Sequence, residues 1–243
     1  MNRIALLLIM LIFPGIMQAQ TLESILKGYH AAIGGLEKYP HNNAVIIKAQ
    51  IQRQGGGEKR SMTFTLKAPN SSRMDLVIQA GLTYTMAYDG KKAWSIQPWT
   101  GSNDAQPMNA DDARGAGRTI KLMWNDLMLM GSDGASLRYD GKDEIEGSEV
   151  YKITAKHPDG TEIIYFLDTD SYLIIKWTTR ATNSGVLEET DMFLGEYQKV
   201  DGRTLPFAFE QKMNGETVSS TLIKEYQFNA NVSDSVFSMP VKQ

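Results

Sequence analysis

From Met62 to Trp99 apolar and polar residues exchange places at nearly every step, through four short segments. Met62, Phe64 and Leu66 alternate with Ser61, Thr63, Thr65 and Lys67, and Met74, Leu76 and Ile78 alternate with Arg73, Asp75 and Val77. Tyr84, Met86 and Tyr88 follow, and then Trp94 and Ile96. A period of two sends successive side chains to opposite faces of a strand. The interruptions at Gly55-Gly56-Gly57, Pro69-Asn70, Ala80-Gly81 and Asp89-Gly90 are turn chemistry, and Asp-Gly marks a hairpin. The pattern predicts an antiparallel meander with one apolar face that another layer must cover.

The flanking segments extend this picture. Thr21 is placed to cap a helix carrying Leu22, Ile25, Leu26, Tyr29 and Ile33, with Gly34-Gly35 ending it. Val45, Ile47, Ala49 and Ile51 mark a first strand. Asn109 before Asp111 and Asp112 reads as the start of a helix, and Gly115 and Gly117 predict that it divides in two. From Ile120 onward Met123, Trp124, Leu127 and Met130 share one helical face, while Leu122, Met128 and Leu129 make the other sides apolar too. A helix apolar almost all round is buried on most sides, so it is expected as a lid or plug for the sheet. Strand patterns resume at Leu137–Tyr139, Val150–Ala155, Thr161–Leu167, Tyr172–Thr179, Leu187–Tyr197, Leu205–Phe209 and Val218–Phe228. The expected fold is mainly β (α+β), an unclosed antiparallel barrel or half-shell of about ten or eleven strands covered by helices.

The N-terminus changes the compartment. Met1-Asn2-Arg3 is a short basic start, Ile4 to Phe13 is wholly apolar, and Pro14-Gly15 breaks the run before Met17-Gln18-Ala19-Gln20. These are the parts of a signal peptide, expected to be cut after Ala19, and the apolar run is too short for a permanent span. Cleavage leaves 243 − 19 = 224 residues, and loss of Arg3 takes the net charge from −3 to −4. Without a linker-like stretch, residues 20–243 are expected to form a single domain. A mildly acidic chain without a basic stripe is a poor partner for nucleic acid or an anionic membrane surface. The chain has no cysteine. It therefore has neither a disulfide nor the lipid-modified cysteine of a bacterial lipoprotein, and hydrophobic burial must supply its stability. The expected location is the periplasm, with secretion as the second choice.

Catalytic chemistry is scarce. His30, His41 and His157 lack the spacing of a zinc site and are expected to be structural or surface residues. No serine stands in a Gly-x-Ser-x-Gly elbow. Asp140, Asp143, Glu144, Glu146 and Glu149 have the spacing of a solvated hairpin, not of a calcium loop. Gly115-Ala116-Gly117 follows no strand and lacks a third glycine, so it is not a dinucleotide fingerprint. No catalytic residue, metal site or cofactor is expected. The methionines are more suggestive: Met62, Met74 and Met86 fall on the apolar sheet face, and Met108, Met123, Met128 and Met130 on or near the lid. Methionine suits a surface that repacks around variable apolar partners, and for the same reason it fills ordinary cores.

These residues resemble a family. Lys67-Ala68-Pro69-Asn70, the strand Arg73 to Ile78 and Tyr88-Asp89-Gly90-Lys91-Lys92-Ala93-Trp94 are similar to turns and strands of the periplasmic lipoprotein carriers of the LolA/LolB type. Tyr165-Phe166-Leu167-Asp168 with Tyr172-Leu173, Leu205-Pro206-Phe207, and the tail Asp234-Ser235-Val236-Phe237-Ser238-Met239-Pro240 resemble the same family, in order along the chain. The resemblance implies an open barrel whose apolar cavity shelters the acyl chains of a lipoprotein or lipid for transfer toward the outer membrane. It further implies an inner-membrane export complex as donor and an outer-membrane acceptor, with the carrier a monomer. In that family an arginine that handles lipoprotein stands directly before the proline of the first turn; here the position is Ala68, so an apolar ligand is implied more firmly than lipoprotein itself. The expected lining is Phe64, Leu66, Met74, Leu76, Met86, Trp94 and Ile96 from the sheet with Met123, Trp124 and Leu127 from the lid, and Gly115, Gly117 and Gly131 are candidate hinges. The alternative is a sensor or assembly module of the same fold that binds a protein partner or a lipid signal.

Overall fold

The structure is a computed structural model that describes residues 20–39, 44–132, 134–183 and 185–240. The expected signal peptide and His41 lie outside the described residues. Helix α1 (Leu22–Ala32) begins at a capping box, in which the Thr21 hydroxyl accepts from the Ser24 N–H and the Ser24 hydroxyl accepts from the Thr21 N–H. Strands β1 (Ala44–Arg53), β2 (Arg60–Lys67), β3 (Ser71–Gln79), β4 (Leu82–Tyr88), β5 (Ala93–Ile96) and the short edge pair β6 (Gln106–Pro107) form the predicted meander. Helices α2 (Ala110–Arg118) and α3 (Asp126–Leu129) follow, joined by a single-turn 3-10 segment, Thr119–Leu122.

The second half runs through β7 (Ser136–Ile145), β8 (Ser148–Lys156), β9 (Glu162–Asp168), β10 (Ile174–Asn183) and β11 (Val186–Gly195). A separate two-stranded ribbon, β12 (Gln198–Val200) with β13 (Arg203–Leu205), precedes β14 (Ala208–Met213) and the long β15 (Glu216–Ala230). The main sheet has 13 strands in the order β6-β5-β4-β3-β2-β1-β15-β14-β11-β10-β9-β8-β7, and every pairing is antiparallel. The two meanders are thus sewn together where β15 lies beside β1, and the sheet stays open at β6 and β7. The strand count exceeds the expected ten or so because even the two residues of β6 extend the edge. Leu205 was expected in one strand with Phe209 but closes the small ribbon instead.

Cross-strand partners share a face. Phe64 stands opposite Met74, Met74 opposite Met86, and Met86 opposite Ser95. In the other direction Phe64 faces Ile47, and Ile47 faces Tyr226. Across the second meander Tyr165, Trp177, Met192, Gln211 and Ser219 form one continuous row. These side chains point to the concave side, which α1, α2, the 3-10 turn and α3 cover. Ile25, Tyr29, Trp124 and Leu127 lie in one buried cluster with Leu66, Ile153, Tyr165 and Leu167. The other face carries its own cover. The Trp94 indole N–H donates to the Phe237 carbonyl at 2.7 Å, and the Arg73 guanidinium stands 5.7 Å from the Trp94 ring. Arg73 also holds Asp75 through two bonds of 2.8 and 2.9 Å and the Val236 carbonyl at 3.1 Å. The C-terminal segment is therefore a strap on the convex side of β2–β5.

Candidate functional site

Between the concave face and the lid lies a cavity of about 450 Å³, within the range of ligand pockets. Its walls come from both meanders: Ile47, Ile51, Met62, Phe64, Met74 and Met86 from one, Ile163, Tyr165, Trp177, Met192, Phe209, Ile223 and Tyr226 from the other. Thr179, Thr190, Gln211, Ser219 and Thr221 add uncharged hydrogen-bonding groups. The roof is Gly115, Arg118, Thr119, Lys121 and Leu122. A second, more polar chamber of about 330 Å³ adjoins it, and the two share Met86, Gly115 and Arg118. The chamber is walled by Asp111, Asp112, Asp159 and Glu188 together with Arg114.

The lid is fastened at both ends. The Ser72 hydroxyl donates to the Ala116 carbonyl at 2.9 Å, and Gly117 lies so close to the sheet that a Cβ there would stand 3.2 Å from the Tyr88 ring. The predicted break falls after Leu122, not at Gly115 or Gly117. Asn125 restarts the helix there by accepting from the N–H groups of Leu127 and Met128 at 3.1 and 3.2 Å, which offers the backbone an alternative to continuing the first helix. The Asn125 amide in turn donates to the Tyr29 hydroxyl at 2.6 Å, and His30 Nε2 bonds the Leu127 carbonyl at 2.8 Å. Gly131 terminates the lid at φ 78°, where a Cβ would meet the Ala135 carbonyl oxygen at 2.6 Å.

Beneath the lid sits a buried polar cluster that the sequence did not announce. Asp126 is fully buried. Its carboxylate accepts from the Tyr165 hydroxyl at 2.7 Å, pairs with the ammonium of Lys121, and lies 3.3 Å from His157 Nε2. Burial by itself would push the Asp126 carboxyl up, but the His157 hydrogen bond and the Lys121 charge outweigh it and hold the group well below the usual carboxylate range. Burial, reinforced by the Asp126 charge, pushes the Tyr165 phenol far up. The cluster joins the 3-10 turn, α3, the β8–β9 turn and β9, so it acts as a latch. Among the described residues no group of three or more His, Asp or Glu could hold a metal ion.

The ten residues expected to line the cavity divide into three sets. Phe64, Met74 and Met86 line it. Leu66 and Leu76 share their face but are packed into the core beside it, Leu66 in the row of Ser72, which α2 covers. Trp94 and Ile96 face the convex side: Trp94 pairs with Ala87 and Ile96 with Thr85, whereas the concave-facing Met86 pairs with Ser95. A strand alternates regardless of which residues are larger, so the two aromatic and aliphatic residues of β5 go where its register sends them. Met123, Trp124 and Leu127 pack with α1 and the sheet, and Met123 borders a small pocket of about 40 Å³ that shares Lys121, Leu122 and Trp177 with the main cavity. The face that the lid turns to the cavity is Arg118, Lys121 and Leu122. Arg73, near in sequence to the family's arginine position, is committed to Asp75 and the C-terminal strap.

No family model and no curated protein sequence matches the chain. Solved structures do. A LolA superfamily protein from Nitrosomonas europaea superposes with a TM-score of 0.60 at 12% identity, covering 90% of this chain and 98% of that one. A DUF1329 family protein from Desulfovibrio piger gives 0.58 at 14% identity, covering 88% and 97%. A domain from Vibrio parahaemolyticus, named for outer membrane lipoprotein sorting, gives 0.56 at 10% identity over 89% and 95%. At such identities the likeness establishes the fold alone.

Proposed function

Starting from a LolA-like fold, we propose that this protein is a carrier that shelters an acyl chain of a lipid or lipoprotein in its concave cavity. The observation that carries the reading is the space of about 450 Å³ left between sheet and lid, walled by Phe64, Met74, Trp177, Met192 and Phe209. Burial of apolar area drives such binding, at roughly 0.8 kcal/mol for each methylene withdrawn from water. An open sheet with a separately latched lid supports loading and release, because only the lid contacts have to part. The sequence pattern of residues 1–19 supports a periplasmic site of action, with transfer from the inner toward the outer membrane as part of the proposal, and a mainly apolar wall whose charged residues, Arg118 and Lys121, stand in the roof supports binding without turnover. The described residues include no helix long and apolar enough to cross a membrane.

Native mass spectrometry of protein isolated from a bacterial periplasm tests the proposal, together with displacement of an environment-sensitive apolar dye by palmitoyl lipids. Co-purified lipid or competitive displacement is the expected result. A ligand-free protein from which no palmitoyl compound displaces the dye overturns it.

A further inference from the structure

The order of chemistry from the cavity outward assigns a ligand class. Resting on the carrier reading above, we infer that the occupant is a single-chain phospholipid with a zwitterionic head. Its tail fills the cavity, its phosphate meets Arg118, and its ammonium lies among Asp112, Asp159 and Glu188.

Three observations lead there. The first is volume. At roughly 30 Å³ per methylene, about the share of one water in the liquid, a cavity of about 450 Å³ takes about fifteen methylenes. That is one acyl chain; two or three would have to displace the lid, which the buried Asp126 latch and the Ser72–Ala116 bond hold down.

The second is the position of Arg118. It belongs to the walls of both the apolar cavity and the polar chamber, and it is half-buried. Among the described residues its guanidinium forms neither a hydrogen bond nor an ion pair. Asp159 and Glu188 act on it only through their field, and burial lowers its pKa from the ordinary arginine value. A guanidinium held partly out of water and without a carboxylate partner is a ready anchor for a phosphate, which it can bind through two parallel hydrogen bonds.

The third is the charge beyond it. The chamber walls hold four carboxylates, Asp111, Asp112, Asp159 and Glu188, against two cations, Arg114 and Arg118, and Arg114 is spent on Asp111. A purely anionic head would meet repulsion there. A phosphate followed by an ammonium meets a cation and then a set of acids, in the order in which the charges occur along a zwitterionic phospholipid.

The test is a displacement series on the intact protein with the same apolar dye. It compares palmitoyl lysophosphatidylethanolamine, palmitoyl lysophosphatidylglycerol, palmityl alcohol and dipalmitoyl phosphatidylethanolamine. The ethanolamine lysolipid is expected to displace at a concentration about tenfold lower than the glycerol lysolipid, and the two-chain lipid to compete more weakly than either. Arg118→Gln should weaken both lysolipids about tenfold while leaving the alcohol unchanged, and Asp159→Asn with Glu188→Gln should erase the preference for the ammonium. Equal displacement by all three single-chain compounds on the unaltered protein overturns the head-group assignment and leaves the carrier reading standing. A two-chain lipid that binds as tightly as its lysolipid overturns the single-chain assignment. Failure of every compound, the alcohol included, sinks the carrier reading itself.

Discussion

Thr221→Trp is the sharpest probe of the cavity. Thr221 lies on β15 opposite Phe209 and Ile51 and lines the concave space. The substitution adds about seven non-hydrogen atoms, each close to a methylene in size, and so reduces room for about fifteen methylenes to room for about eight. A palmitoyl chain then leaves its remaining methylenes in water. At roughly 0.8 kcal/mol each, the gross loss is about 5 kcal/mol. Freedom regained by the unburied end returns part of this, so a weakening of at least about a hundredfold is expected for palmitoyl ligands. Octanoyl ligands, whose tails still fit, should change by less than about threefold. The aromatic residue suits a strand position, and thermal unfolding verifies that the variant folds; Thr221→Val serves as a control that keeps the volume. Dye displacement across a chain-length series reads the outcome. Unchanged palmitoyl affinity in a folded Thr221→Trp protein, or an equal loss for short and long chains, would refute the assignment of the tail to this space.

Three further expectations follow from the packing. Asp126→Asn leaves Lys121 and His157, whose side chains are only 13% and 15% exposed, facing a neutral amide. Breaking a buried pair costs about 3–5 kcal/mol, so the melting temperature should fall by roughly 10 °C, and a drop of only a degree or two contradicts the latch. Because the folded Asp126 carboxyl is held below its unfolded value, its stabilisation is complete above about pH 4 and is lost as pH falls further. Thermal melts from neutral pH down to about pH 3 should therefore decline more steeply for the natural protein than for Asp126→Asn, and parallel curves count against this. Trp94→Phe removes the bond to the Phe237 carbonyl, costing about 1–2 kcal/mol and exposing residues 233–237 to proteases. Ligand affinity should not move, since Trp94 faces the convex side; an altered palmitoyl affinity would place the binding surface elsewhere.

The antiparallel meander, the Thr21-capped helix and the apolar segment after Ile120 were all legible because each rests on local rules: alternation, turn residues and capping. Phe64, Met74 and Met86 were located on the cavity face for the same reason. Trp94 and Ile96 were not, because size and hydrophobicity suggest burial without saying under which layer, and the convex side of β5 has its own cover in the strap at Phe237. Trp177, Met192, Phe209 and Tyr226 carried the same period-two signal as Phe64. Nothing local told that β15 returns to β1 and curls both meanders around one space. The roof was misjudged in the complementary way: its greasiest stripe, Met123, Trp124 and Leu127, sealed itself against α1 and left Arg118 and Lys121 over the cavity.

The chain alone therefore determined that strands would form, where they would turn and that one face would need covering. Those properties follow from each residue and its near neighbours. The tertiary structure decided which greasy face stays partly empty, which cation stands at its mouth, and that Asp126, Lys121, His157 and Tyr165 meet. Such juxtapositions depend on long-range register and on competition among apolar surfaces for the same cover, and no window along the chain contains that competition.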